Sequence, residues 1–159
     1  MREQAVETSA SQASERRLEP HQRERVLDAL LRCRVAGPEV CRRAVEEARL
    51  VLRQPRWSEV RGPISLVAHV ALASRADGIA LGRRCFVRRT DPDGRVPLRL
   101  IAHEVTHVAQ ILREGTATFY ARYAASYLAA RARGWGDERA YLSIPYEVEA
   151  RAVAALIPG

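Results

Sequence analysis

The chain contains no lysine. All 26 of its basic residues are arginine, set against 19 acidic residues, for a formal net charge of +7 over 159 residues. Such a charge suits nucleic acid or another anionic partner. The arginines are spread along the chain, however, and many stand beside glutamate on one helix face, as Arg42, Arg43, Glu46, Glu47 and Arg49 do. That pattern reads as a solvated, salt-bridging surface, so nucleic acid is not an expected partner. Cysteine is scarce and odd in number: Cys33, Cys41 and Cys85, with no CxxC pair. This excludes a zinc finger and speaks against a disulfide framework. Cys33 and Cys41 would meet only if two helices fold back on each other. Buried free thiols in a reducing compartment are the expected state. No stretch reaches 18 apolar residues, and the first residues carry no apolar leader core. The sequence therefore predicts neither a membrane span nor a secretory signal. The default expectation is a cytoplasmic location, and a non-classical export route would leave no such mark.

Histidine is also rare, with four in the chain, yet two of them fall in one pentapeptide, His103-Glu104-Val105-Thr106-His107. On a helix, residues four apart lie about 6 Å apart along the axis and roughly 40° apart around it, so both imidazoles reach one ion. The glutamate between them projects to the side, within reach of a water on that ion. This is the HExxH arrangement of two zinc ligands and a general base. Its surroundings support a helix. Pro97 suits the first turn, Gly115 the stop and Arg113 the last turn. Leu98, Ile101, Ala102, Val105, Val108, Ala109 and Leu112 recur at helical spacing. The zinc helix is expected over 97–114.

At this length, with 47% hydrophobic residues, one domain with a sizeable core is expected. Residues 1–19 are polar and aperiodic and read as a disordered tail, leaving a single domain over 20–159. Val26, Leu27, Leu30 and Leu31 mark a helix over 21–34, broken at Ala36-Gly37-Pro38. A second helix fits 39–53, closed by Gln54-Pro55, which makes 21–53 a helical hairpin. A small sheet is expected over 62–90: an apolar stretch at 64–72, a turn at Asp77-Gly78, then short strands at 79–82 and 85–87. After Gly115 come C-terminal helices over 117–157. The first runs to about 133 with an aromatic stripe of Phe119, Tyr120, Tyr123 and Tyr127, read mainly as core packing. Gly134-Trp135-Gly136-Asp137 reads as a loop, and the last helix starts near Pro145.

A catalytic zinc site needs three protein ligands and an open position. The metzincin form requires a histidine six residues beyond His107, where Arg113 stands. His69, on the apolar 64–72 stretch, is a conceivable ligand. A stronger candidate lies at Tyr146-Glu147-Val148-Glu149-Ala150, on a helix that can pack against the first. Glu147 and Glu149 point about 200° apart, so only one can face the ion. Gln110, one turn beyond His107 on the same face, is a candidate partner for that histidine. Tyr141 and Tyr146 flank the third ligand and are candidate donors to an oxyanion. The strand hairpin at 79–88 offers an edge for an extended peptide, and its Arg83, Arg84, Arg88 and Arg89 would favour acidic ones.

HExxH followed by Glu147-Val148-Glu149-Ala150 resembles the gluzincin pattern, in which the first Glu of the second string is the ligand. The resemblance thus implies a one-zinc site of His103, His107 and Glu147. Typical members place Asp next, to orient a histidine; this chain has Arg151 there. Three longer strings are more specific: Leu81-Gly82-Arg83-Arg84-Cys85-Phe86-Val87, Leu100 through Gln110, and Tyr141 through Ala150. Together they resemble a family of bacterial zincin-like domains of unknown function linked to extracellular contractile injection systems. The likeness spans about residues 77–155 and leaves the hairpin at 21–53 unexplained. It implies an α+β, zincin-like metallopeptidase fold with the third ligand on a C-terminal helix. It also implies zinc-dependent peptide-bond hydrolysis, with Glu104 as base, on a peptide or protein substrate, and a link to secretion or injection machinery. The alternative is a non-catalytic zinc-binding adaptor or cargo domain, and a lesser one is an arginine-rich nucleic-acid binder.

Overall fold

A computed structural model of the chain describes residues 15–55, 77–88 and 90–158. Proline marks where several helices begin. It stands at the first helical turn of α1 (Pro20–Arg32), α2 (Pro38–Glu47) and α6 (Pro145–Ala155), and just before α3 (Leu98–Glu114). Its fixed φ suits a first turn, and the missing N–H would be unpaired there in any case. Gly115, at φ 86°, ends α3 and starts α4 (Thr116–Ala132). That left-handed backbone is open to glycine and costly for other residues. A short α5 (Asp137–Leu142) precedes α6.

Four short strands complete an α+β fold of six helices and one mixed sheet among the described residues: β1 (Glu15–Arg17), β2 (Arg49–Val51), β3 (Gly78–Leu81) and β4 (Arg84–Val87). The sheet order is β1-β2-β4-β3. β2 runs parallel to β4, and the two outer pairings are antiparallel. Gly82, at φ 63°, opens the two-residue turn between β3 and β4, where a positive φ matches the strand twist. Side chains alternate across the sheet. Leu50, Ala80, Cys85 and Val87 join the main core with α1, α2, α3 and α6, while Val51, Ile79, Leu81 and Phe86 form a second buried cluster. α3 runs through the centre, buried along most of its length, and packs most extensively on α6.

Three expected boundaries differ. The helix expected over 39–53 ends at Glu47, and 49–51 is a strand. The Arg49 guanidinium bonds the carbonyls of Glu46, Glu47 and Ala48, which caps α2 at once. Residues 15–19 are not tail: Glu15–Arg17 pairs with β2, Glu15 meets Arg84, and Leu18 is 3% exposed in the main core. Charged side chains on an outer strand give it a tail-like composition. Asp137, expected in a loop, starts α5, where Asp137 and Glu138 complement the helix dipole. The apolar stretch at 64–72, His69 and residues 1–14 lie outside the described residues. All three cysteines are free, with Cys41 and Cys85 buried and Cys33 half-buried.

Candidate metal centre

The two histidines leave α3 one turn apart, and α6 brings a carboxylate to meet them. Glu147 sits in the first turn of α6, and α6 lies on the face of α3 that carries His103 and His107. His103 Nε2 is 3.2 Å from His107 Nε2 and 3.1 Å from Glu147 Oε2, and His107 Nε2 is 3.2 Å from Glu147 Oε1. The same three residues form the one group of potential metal ligands among the described residues. Ligands about 2.0–2.1 Å from a tetrahedral metal ion stand roughly 3.3 Å apart, and each of these three separations is close to that, although the two imidazoles meet different oxygens of Glu147. Glu147 Oε2 is buried and, among the described residues, lacks a directed hydrogen bond, although it lies against His103. A buried carboxylate oxygen left this way is costly unless a cation completes it. The donor set and the poorly satisfied Oε2 fit a bound metal ion.

The surrounding groups hold these ligands in place. Tyr123 from α4 donates its hydroxyl to Glu147 Oε1 at 2.7 Å. That bond is made to Oε1, while Oε2 faces His103. Gln110 Oε1 lies 2.8 Å from His107 Nδ1, and Gln110 Nε2 donates to the Tyr146 carbonyl at 3.1 Å and to Glu149 Oε2 at 2.7 Å. Glu149, the alternative third ligand, thus faces Gln110 and Arg113 rather than the histidines. Arg151 takes no part in the centre and donates to the Leu142 carbonyl. Phe119 and Tyr123 pack their rings against His107.

The electrostatics follow from burial and pairing. Burial opposes a charge on His107, but Glu147, Glu104 and Gln110 outweigh it and raise its pKa to about 9. Burial would raise the Glu147 pKa, yet the two histidines hold it well below the usual carboxylate range. Glu104 is 2% exposed, and burial raises its pKa against the pull of both histidines. Its Oε2 has no hydrogen-bond partner among the described residues.

Glu104, His107, Glu147, Tyr123 and Tyr141 line a cavity of about 20 Å³ under Gly78, Ile79 and Ala80 of β3, room for about one water. Tyr141 keeps its proton, because burial and then the charges of Glu147 and Glu104 push its pKa up. Tyr146 is not at this cavity. Its hydroxyl donates to Glu114 Oε2 at 2.5 Å, and it lines a separate groove with Arg113 and Arg122. Arg83 and Arg84, expected to favour acidic peptides, pair with Glu47 and Glu15. Sequence reasoning missed Tyr123, whose spacing marks only a core stripe, and Gly78, which reads as a turn residue.

A family model described as the eCIS core domain matches residues 58–115. The match links this chain to extracellular contractile injection systems. It covers just over a third of the chain and includes β3, β4 and α3 with the whole pentapeptide, and it stops short of Tyr123 and Glu147. No curated protein and no solved structure matches.

Proposed function

We propose that this protein is a zinc-dependent peptidase associated with an injection system, with His103, His107 and Glu147 as ligands. The observation that carries this reading is the buried Glu104 carboxylate, whose Oε2 has no hydrogen-bond partner among the described residues, on the water-sized cavity beside the ligand cluster. A purely structural site needs no such group. When bound, the ion supplies Lewis acidity to a water and to a substrate carbonyl. Glu104 takes the proton of the attacking water and returns it to the leaving amine. Its raised pKa brings it closer to the working pH of such a base. Tyr141, whose hydroxyl interacts with Glu147 at the edge of the cavity, offers its retained proton to the developing oxyanion when it turns away from that carboxylate. Tyr146 is committed to Glu114 and is left out of that role.

A second reading, a non-catalytic metal-binding adaptor, is favoured by one feature: among the described residues, the space at Glu104 has room for only about one water. One experiment separates the two. Metal content is measured for wild type, His103→Ala and Glu147→Ala, and Glu104→Gln is assayed on an unfolded protein substrate. The peptidase reading expects about one zinc per wild-type chain, loss of zinc in both ligand variants, and a loss of cleavage of about 10²–10⁴-fold in Glu104→Gln with zinc retained. Stoichiometric zinc without cleavage would leave the adaptor, and wild type without zinc would remove both.

A further inference from the structure

We infer that Glu149 is a positioning residue that sets the tautomer of His107 through Gln110. The inference rests on the metal-site reading and concerns how this chain prepares its second histidine. Gln110 is fully buried, and among the described residues its side chain meets His107, the Tyr146 carbonyl and Glu149. Its nitrogen stands 3.1 Å from the Tyr146 carbonyl and 2.7 Å from Glu149 Oε2, and both of these only accept hydrogen bonds. The amide nitrogen must therefore face them. A flipped amide would set an oxygen against a carbonyl and a carboxylate, all three buried or partly buried. With the nitrogen so placed, Gln110 Oε1 faces His107 Nδ1 at 2.8 Å and can only accept, so Nδ1 carries a proton. In the neutral ring that leaves the lone pair on Nε2, the atom turned to His103 and Glu147.

Glu149 makes this choice one-sided. The Tyr146 carbonyl takes one amide hydrogen; Glu149 takes the other and adds a negative charge that repels the flipped oxygen. Arg113 Nη1 lies 3.2 Å from both Glu149 oxygens and fixes the carboxylate. Glu149 thus does at a distance what a carboxylate directly on the histidine would do, in a chain where Arg151 bonds the Leu142 carbonyl instead.

The test compares full-length wild type, Glu149→Ala and Glu149→Gln. Zinc affinity is measured by competition with a chromophoric chelator, and the His107 Nδ1 proton is followed by ¹⁵N-edited NMR of the zinc-loaded protein. Glu149→Ala is expected to weaken zinc by roughly tenfold or more and to broaden the Nδ1 proton through exchange. Glu149→Gln keeps an acceptor oxygen and is expected to restore affinity to within a few-fold, with a sharp signal. Wild-type affinity together with an unchanged Nδ1 signal in Glu149→Ala would overturn the inference, even with the zinc site intact. Equal losses in the Ala and Gln variants would also overturn it, because the acceptor would then not be what matters. Absence of zinc from wild type would instead remove the metal reading on which it rests.

Discussion

Gly78 lies directly against the carboxylate of Glu104. A β-carbon at position 78 would stand 2.6 Å from Oε1, 2.8 Å from the carboxyl carbon and 3.0 Å from Cγ. Glycine here is favoured by close approach to the Glu104 side chain and not by backbone angle. Because this position has no side chain, β3 crosses over the pentapeptide helix without displacing the Glu104 carboxylate, and Gly78, Ile79 and Ala80 form one wall of the cavity around it.

Gly78→Ala should therefore displace Glu104 while leaving the ligands alone. Cleavage is expected to fall at least about tenfold, with zinc affinity within a few-fold of wild type, as read by kinetics and chelator competition on the same preparation. If Gly78 acts through Glu104, the substitution should add nothing in a Glu104→Gln background, since residues in contact are non-additive. Additive losses would place the effect elsewhere.

Tyr123→Phe removes the hydroxyl on Glu147 Oε1 and nothing else in the triangle. The carboxylate then keeps its contacts with His103 and His107 but loses the hydroxyl that orients Oε1. Zinc affinity should drop about tenfold, as is usual when a group that orients a ligand is lost. The metal-free protein should lose about 1.5 kcal/mol, the scale of a hydrogen bond to a charged group. Titration calorimetry and thermal unfolding with chelator measure the two effects. Unchanged zinc affinity would mean that packing alone holds Glu147.

His103, Glu104 and His107 are legible in the sequence because their relation is local. A 3.6-residue period bounded by Pro97 and Gly115 places both rings on one face, whatever else the chain does. Glu147 is legible through its motif. The groups that tune them are not: Tyr123, Glu149 and Gly78 reach the centre only through the packing of α4, α6 and β3 on α3, and a hydroxyl in an aromatic stripe carries no mark of its target. The same holds for the sheet. β1 and β2 have three residues each, too few for a period, and their pairing partners are distant in sequence. Leu50, Val51 and Leu52 in a row extend a helical pattern as easily as a strand.

Leu18 tests the corrected N-terminal boundary. It is buried in the main core one residue beyond β1. Truncating a buried leucine costs about 2–5 kcal/mol. Leu18→Ala should therefore lower the denaturation midpoint by an amount no tail residue could. Arg16→Ala, on the exposed edge strand, should change stability by less than about 0.5 kcal/mol. Urea unfolding of the two variants decides between strand and tail.

The ligand triangle also sets a pH dependence. The folded pKa of His107 is raised from 6.5 to about 9. Its contribution to stability is fully present below pH 6.5 and is lost as pH rises through 9. Glu104 acts in the same direction, because burial raises its pKa as well. Glu147 has a lowered pKa, so its contribution is lost only on acidification. Metal-free protein should therefore melt at progressively lower temperature between about pH 6.5 and 9. Zinc must displace the His107 proton in order to bind, so loading at pH 7.5 should release protons to the buffer. Calorimetry in two buffers of different ionisation enthalpy would register that release. Once zinc is bound, no proton remains at Nε2 to titrate, and the melting temperature should become nearly flat across the same range. A zinc-loaded protein that kept the alkaline slope would show that the ion does not sit on His107.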